Sequence, residues 1–279
     1  MRVAAVNWKI RPIRSETEFW DHLEEVVSAA TRAGAELVVL PENVTFELLN
    51  LHTNLPESEI ASCIESYGGR YQDMVQELGR ACTVVGGSTI LNGQNVGLIA
   101  SPRGGGWYGK HLLTQYELEP LGLRTSSHLT HLPDVGAVIC YDSEFPAAGR
   151  ALAEAGVKVL AIPAYTETQH GFQRVRWCAQ ARATELQIFV VHASLVGSLG
   201  REPIVSAVGS SAILTPSHAP FPESATLDET AWNEEGIAIG ELDFDQLRQC
   251  REQGDVRNWE DRDRGEWVPC LAEHPLDQA

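Results

Sequence analysis

The sequence predicts an α/β fold of packed layers built on a mixed sheet. Short apolar, β-branched runs alternate with longer segments whose apolar residues recur every three or four positions. In addition, Pro102-Arg-Gly-Gly-Gly106 lies inside the strand-like stretch 95–110, a turn that makes an antiparallel hairpin and so excludes a purely parallel sheet.

The elements follow in order. Arg2 to Asn7 reads as a strand. Glu16 to Arg32 reads as a helix, with Phe19, His22, Leu23, Val26, Val27 and Ala30 on one face and Gly34 closing it. Leu37 to Leu40 is a strand stopped by Pro41-Glu42-Asn43. Residues 63–82 form a looser helix, and strands begin at Thr83 and Asn95. Gly136 to Cys140 is a buried strand. Phe145 to Ala155 is a helix that tolerates Pro146 in its first turn. Val157 to Pro163 and Ile188 to Ala193 are strands around a helix at 171–186. The region 205–215 and Gly236 to Leu242 add strands, Asp243 to Arg251 a short helix, and the tail 254–279 is irregular.

No composition shift or linker divides the 279 residues, so 1–279 reads as one domain. Apolar residues make up 43%, enough for a sizeable core. The formal charge of −17 argues against a phosphate backbone as partner, hence no nucleic acid. Asn7 and Lys9 break the first apolar run, and no later stretch is long enough to span a membrane. The six cysteines lack metal-site or disulfide-framework spacing, so free thiols in the cytoplasm are expected.

Chemistry concentrates just beyond apolar strands: Glu42 after Leu-Val-Val-Leu-Pro, Lys110 after Trp-Tyr-Gly, and Cys140 after Gly-Ala-Val-Ile. Open α/β sheets place ligands at such ends. Each residue also has a plain reading, as a core thiol, a loop carboxylate and a surface cation. A thiol needs a base to become a nucleophile. His192 and His111 have no spacing that pairs them with Cys140, whereas a buried carboxylate such as Glu42 can serve.

Other motifs carry less. Gly104 to Lys110 matches the GxxxxGK part of a phosphate-binding loop, but His111 stands where Ser or Thr should hold magnesium. His128 and His131 lack a third metal ligand. Arg174, Arg176 and Arg182 read as surface partners of Glu185 and its neighbours. Asp142 and Glu144 read as caps of the following helix.

LVVLPEN around Glu42, YGKHLL around Lys110 and GAVICYDSEFP around Cys140 together resemble the nitrilase superfamily of carbon–nitrogen hydrolases. The resemblance runs from residue 2 to about residue 242 through VLAIPAY and RWCAQARATELQIFVVHASLVG. It implies an α-β-β-α sandwich of two mixed sheets with helices outside, usually paired into a homodimer, and no cofactor. It implies Cys140 as nucleophile, Glu42 as base, and Lys110 with the Tyr141 N–H at the oxyanion. A second glutamate falls to Glu117, seven positions after Lys110, with Glu119 as the alternative. Tyr165, Thr166 and Glu167 are implied pocket residues. Cys-Tyr-Asp in place of the Cys-Trp-Glu of nitrile hydrolysers leans toward small linear amides as substrates. Gly109 departs from the arginine common before the lysine.

Overall fold

The computed structural model describes residues 1–265. Its organising element is β1 (Arg2–Ile10), buried at every position except Arg2 and the half-buried Lys9. Residues Val3–Ala5 pair in parallel with β2 (Leu37–Val39), while Trp8–Ile10 pair in parallel with β9 (Phe189–Gly197). The strand therefore runs on past Asn7, because Trp8 and Ile10 have a second partner there.

One section continues from β2 to β3 (Thr83–Val85), then to β5 (Gln94–Ser101), with β4 (Thr89–Leu91) and β6 (Gly104–Gly109) both antiparallel to β5. The other holds β7 (Val135–Ala137), β8 (Val159–Tyr165) and β9 in parallel. Antiparallel β10 (Ala212–Leu214) and β11 (Thr226–Glu229) extend it. Strand β12 (Gly236–Glu241) closes antiparallel on β1.

Period-two alternation divides β1 between two cores. Val3 and Ala5 pack with Leu37, Ile139, Leu160 and Val190, whereas Ala4, Val6 and Trp8 pack with helix α1 (Glu16–Arg32). Ser15 caps α1 by accepting from Glu18 N, and Phe19, Leu23 and Val27 form its buried stripe. Each such side chain contributes roughly 1.5–3 kcal/mol by leaving water. Helix α2 (Ile60–Leu78) joins the same core, three residues earlier than its sequence pattern suggests, because the turn Glu57–Glu59 feeds directly into it.

The remaining helices are α3 (Gln115–Leu118), α4 (Pro146–Glu154), α5 (Gln169–Leu186), α6 (Phe244–Gln253) and α7 (Asn258–Asp261). The four-residue α7 puts a helical turn in the tail, and residues 266–279 lie outside the described part. Of the stretch 205–215 only Ala212–Leu214 is strand. Before it, Gly209 N donates to Asn233 Oδ1 and Ser211 N to Thr230 Oγ1, so side chains take the place of a ladder. Residues 104–109 form a strand edge, not a phosphate loop, and no helix opens at Lys110.

Among the described residues, the five cysteines are free, no helix is long and apolar enough to cross a membrane, and no cluster suited to a metal occurs.

Candidate active site

Glu42, Cys140 and Tyr165 all stand where parallel strands end. Glu42 comes three residues after β2 ends at Val39, Cys140 three residues after β7 ends at Ala137, and Tyr165 ends β8. Lys110 comes from the neighbouring hairpin, directly after β6. Its side chain is 2% exposed and lies between two carboxylates, 2.7 Å from Glu42 Oε1 and 2.8 Å from Glu117 Oε2.

Glu117 is fixed by its own turn of helix. Thr114 caps α3 and donates both its N–H and its hydroxyl to Glu117 Oε2, a capping box that aims Oε1 inward. Glu119 is exposed, so the carboxylate that joins Lys110 is Glu117. Asn95 Nδ2 donates to Glu42 Oε1 at 3.0 Å and to Glu117 Oε1 at 2.8 Å, tying the two glutamates together. Its backbone carbonyl also accepts from Lys110 N. Sequence reasoning passed over Asn95 as one more residue of a hairpin strand.

Cys140 sits at a sharp turn. It opens the short 3-10 segment Cys140–Glu144 with φ +44, a conformation that L residues with a Cβ seldom hold. The turn is over-determined by its neighbours. Asp142 accepts the N–H groups of His111 and Leu112, which pins the turn to the segment following Lys110. Ser143 Oγ donates to Cys140 O, and Arg182 Nε donates to Ser143 O.

These contacts replace three sequence expectations. Asp142 does not cap α4, whose cap position Phe145 offers no side-chain acceptor. Glu144 instead takes both oxygens to Arg174 Nε at 2.9 Å. Arg182 is buried at 4% exposure, although it does reach Glu185, while Arg176 pairs with Glu229. Gly109 is also explained: a Cβ there would meet Ser126 Oγ at 2.3 Å.

Tyr165 links base and thiol through its backbone. Its N–H donates to Glu42 Oε2 at 2.9 Å, and its carbonyl accepts from Cys140 Sγ at 3.4 Å. The Tyr165 hydroxyl donates to Pro203 O and stands 3.1 Å from Glu167 Oε1. Thr166 donates its hydroxyl to Val208 O. Tyr141 lies in the first turn of the 3-10 segment, where backbone N–H groups have no acceptor within the helix. All three line a cavity of about 280 Å³ together with Glu42, Lys110 and Cys140. Among the described residues no histidine lines it. His192 is buried elsewhere beside Arg176, and burial followed by that cation depresses its pKa to about 3.

The charges oppose one another usefully. Burial raises the pKa of Glu42, resisted by the charge and hydrogen bond of Lys110 and aided by the charge of Glu117. Burial alone would lower the pKa of Lys110, but the two glutamates outweigh it and raise the value. For Glu117 burial is likewise overcome, here by Lys110, Thr114 and Asn95, and its pKa is lowered. Burial and the charge of Glu42 push the Cys140 thiol well up, against Lys110. The cluster thus sets a thiol beside the Glu42 carboxyl group, with Lys110 held between Glu42 and Glu117.

The family description for carbon–nitrogen hydrolases matches residues 2–252. The probable hydrolase YhcX of Bacillus subtilis (strain 168) is 30% identical over 278 residues, which are 95% of this chain and 54% of that protein. The chain therefore spans about half the length of that relative. A deaminated glutathione amidase of Synechocystis sp. (strain PCC 6803 / GT-S) is 28% identical, covering 90% of this chain and 94% of its own. A solved variant of the amidase from Nesterenkonia sp. AN1 carries acrylamide added at its active-site cysteine. It matches in fold with a TM-score of 0.65 at 21% identity, over 90% of this chain and 96% of that one. With the family match reaching from the first residue of β1 to the penultimate residue of α6, this chain belongs to the carbon–nitrogen hydrolase family.

Proposed function

We propose that the protein is an amidase that cleaves the C–N bond of a small linear amide through a thioester on Cys140. The reading rests most on one observation: a buried thiol and a buried carboxylate share the backbone of Tyr165, with Lys110 salt-bridged to that carboxylate. In this account Glu42 takes the Cys140 proton as sulfur attacks the amide carbon. The carbonyl electron pair moves to oxygen, where Lys110 and the Tyr141 N–H meet it. Glu42 returns the proton to the departing nitrogen, the C–N bond breaks, and ammonia or an amine leaves. Water then gives a proton to Glu42 and attacks the thioester, and the released sulfur recovers that proton with formation of the acid.

Glu117 and Asn95 keep Lys110 and Glu42 in register, and Tyr165 and Thr166 wall the acyl side. Thiol, carboxylate and ammonium supply the whole reaction, so the proposal includes no cofactor. It also takes the chain as one domain, its two sheet sections stacked as an α-β-β-α sandwich and two copies paired as a homodimer in the cytoplasm.

Ammonia release from a panel of short amides, carbamoyl compounds and nitriles tests the substrate class. Release from amides in preference to the others is the expected result, and preferential release from nitriles would refute it. The pH profile gives a second check. Glu42 must be ionised to act, and its pKa is raised above the ordinary 4.5. Accordingly kcat/KM is expected to fall on the acid side with a midpoint above that value, and a midpoint at or below it would remove Glu42 as the base.

A further inference from the structure

One buried amide is arranged at a cost that packing does not explain. Asn95, on β5, is 1% exposed and does not line the cavity. Its Nδ2 donates to Glu42 Oε1 and to Glu117 Oε1, whereas its Oδ1 has no hydrogen-bond partner among the described residues. A buried acceptor left without a donor is destabilising, so the amide stands there for its two donors.

The consequence lies in how the oxygens of the two glutamates are occupied. Glu117 Oε1 accepts from Asn95 and from Lys110 Nζ at 3.0 Å, and its Oε2 accepts from Thr114 N, from Thr114 Oγ1 and from Lys110. Both lone pairs of each oxygen are thus engaged. Glu42 Oε1 is filled in the same way, by Lys110 Nζ at 2.7 Å and Asn95 Nδ2 at 3.0 Å. Among the described residues Glu42 Oε2 accepts only from Tyr165 N. That oxygen is also the one on the side of the thiol. The N–H and C=O of one residue in a strand point the same way, and the Tyr165 carbonyl accepts from Cys140 Sγ.

Building on the reading of Glu42 as the base, we propose that Asn95 is a positioning residue that reserves Glu42 Oε2 for the proton of Cys140. Together with Lys110 its amide blocks Oε1. The S–H bond therefore breaks toward Oε2, and from that atom the proton passes to the leaving nitrogen. Without the amide, Oε1 has one donor fewer and becomes a second proton site, facing Lys110 instead of the thiol.

Alkylation of Cys140 by iodoacetamide tests this without a known substrate. Sulfur displaces iodide from carbon as its proton passes to Glu42, and mass spectrometry follows the Cys140 peptide separately from the other thiols across pH. The titratable groups coupled to Glu42 are Lys110, Glu117, Cys140, Tyr108 and Tyr165. Burial raises the pKa of both tyrosines, and burial with Glu42 that of Cys140. Against burial, the two glutamates raise that of Lys110, and Lys110 lowers that of Glu117. An acid-side limb in the rate of alkylation therefore reports Glu42.

Removing a donor to a carboxylate disfavours its ionised form. In Asn95→Leu the midpoint of that limb should accordingly rise by about one pH unit, the value of one hydrogen bond to a charged group. Asn95→Ala removes the same donors at smaller volume, serves where leucine disturbs β5, and should shift the midpoint the same way. A limb that neither variant moves, or that moves to lower pH, overturns the inference and leaves Glu42 as the base. A wild-type profile without an acid-side limb removes Glu42 as the base, and the inference falls with it.

Discussion

Cys140→Ala protein is expected to fold as the wild type does and to lose turnover by at least about 10⁴-fold. Alanine meets the same backbone demand at φ +44 that cysteine meets, so the turn is no more strained. The substitution removes one thiol hydrogen bond to Tyr165 O, while Asp142, Ser143 and Arg182 still hold the turn. A melting temperature within a few degrees of wild type would show that the loss is chemical and not structural. Activity within a hundredfold of wild type would contradict the assignment of Cys140 as nucleophile.

Lys110→Met should damage both activity and stability. The methionine fills most of the lysine volume but leaves Glu42 and Glu117 buried and facing each other across an uncharged chain. Removing one member of a buried ion cluster costs about 3–5 kcal/mol. Lys110 has a folded pKa above its ordinary 10.5, so the stability it contributes is fully present below that pH and is lost only as pH rises through the folded value. Glu117, with a depressed folded pKa, contributes stability above 4.5 that disappears as pH falls through the folded value.

In the variant both glutamates should instead favour protonation, so that protein gains relative stability toward acid. Urea unfolding at pH 5 and pH 8 should therefore give a larger deficit at pH 8. An equal deficit at both would mean that the cluster is not electrostatically coupled as described.

Local pattern carried much of this molecule, and long-range contact carried the rest. Strand and helix order through the chain follows from apolar periodicity, and Glu42, Lys110 and Cys140 stand out because each comes shortly after a strand-like run. The pairing of both sections through β1 was not legible, since nothing in Trp8–Ile10 says that β9 will lie beside it.

The supporting residues were misread or missed for the same reason. Asp142 has the spacing of a helix cap, yet its partners His111 and Leu112 are some thirty residues earlier in the chain. Arg182 looks like a surface residue on an amphipathic helix until Ser143 is packed against it. Asn95 acquires its place only when Glu42, 53 residues before it, and Glu117, 22 residues after it, converge on one amide.

The central claim, a covalent acyl-enzyme, is tested most directly by partitioning. Two amides that share an acyl group but differ in the leaving amine are turned over in the presence of hydroxylamine, and acid and hydroxamate are measured for each. A common thioester forgets its amine before water or hydroxylamine arrives, so the account predicts the same acid-to-hydroxamate ratio from both substrates. A ratio that depends on the leaving amine would mean direct attack on the amide and would contradict the account.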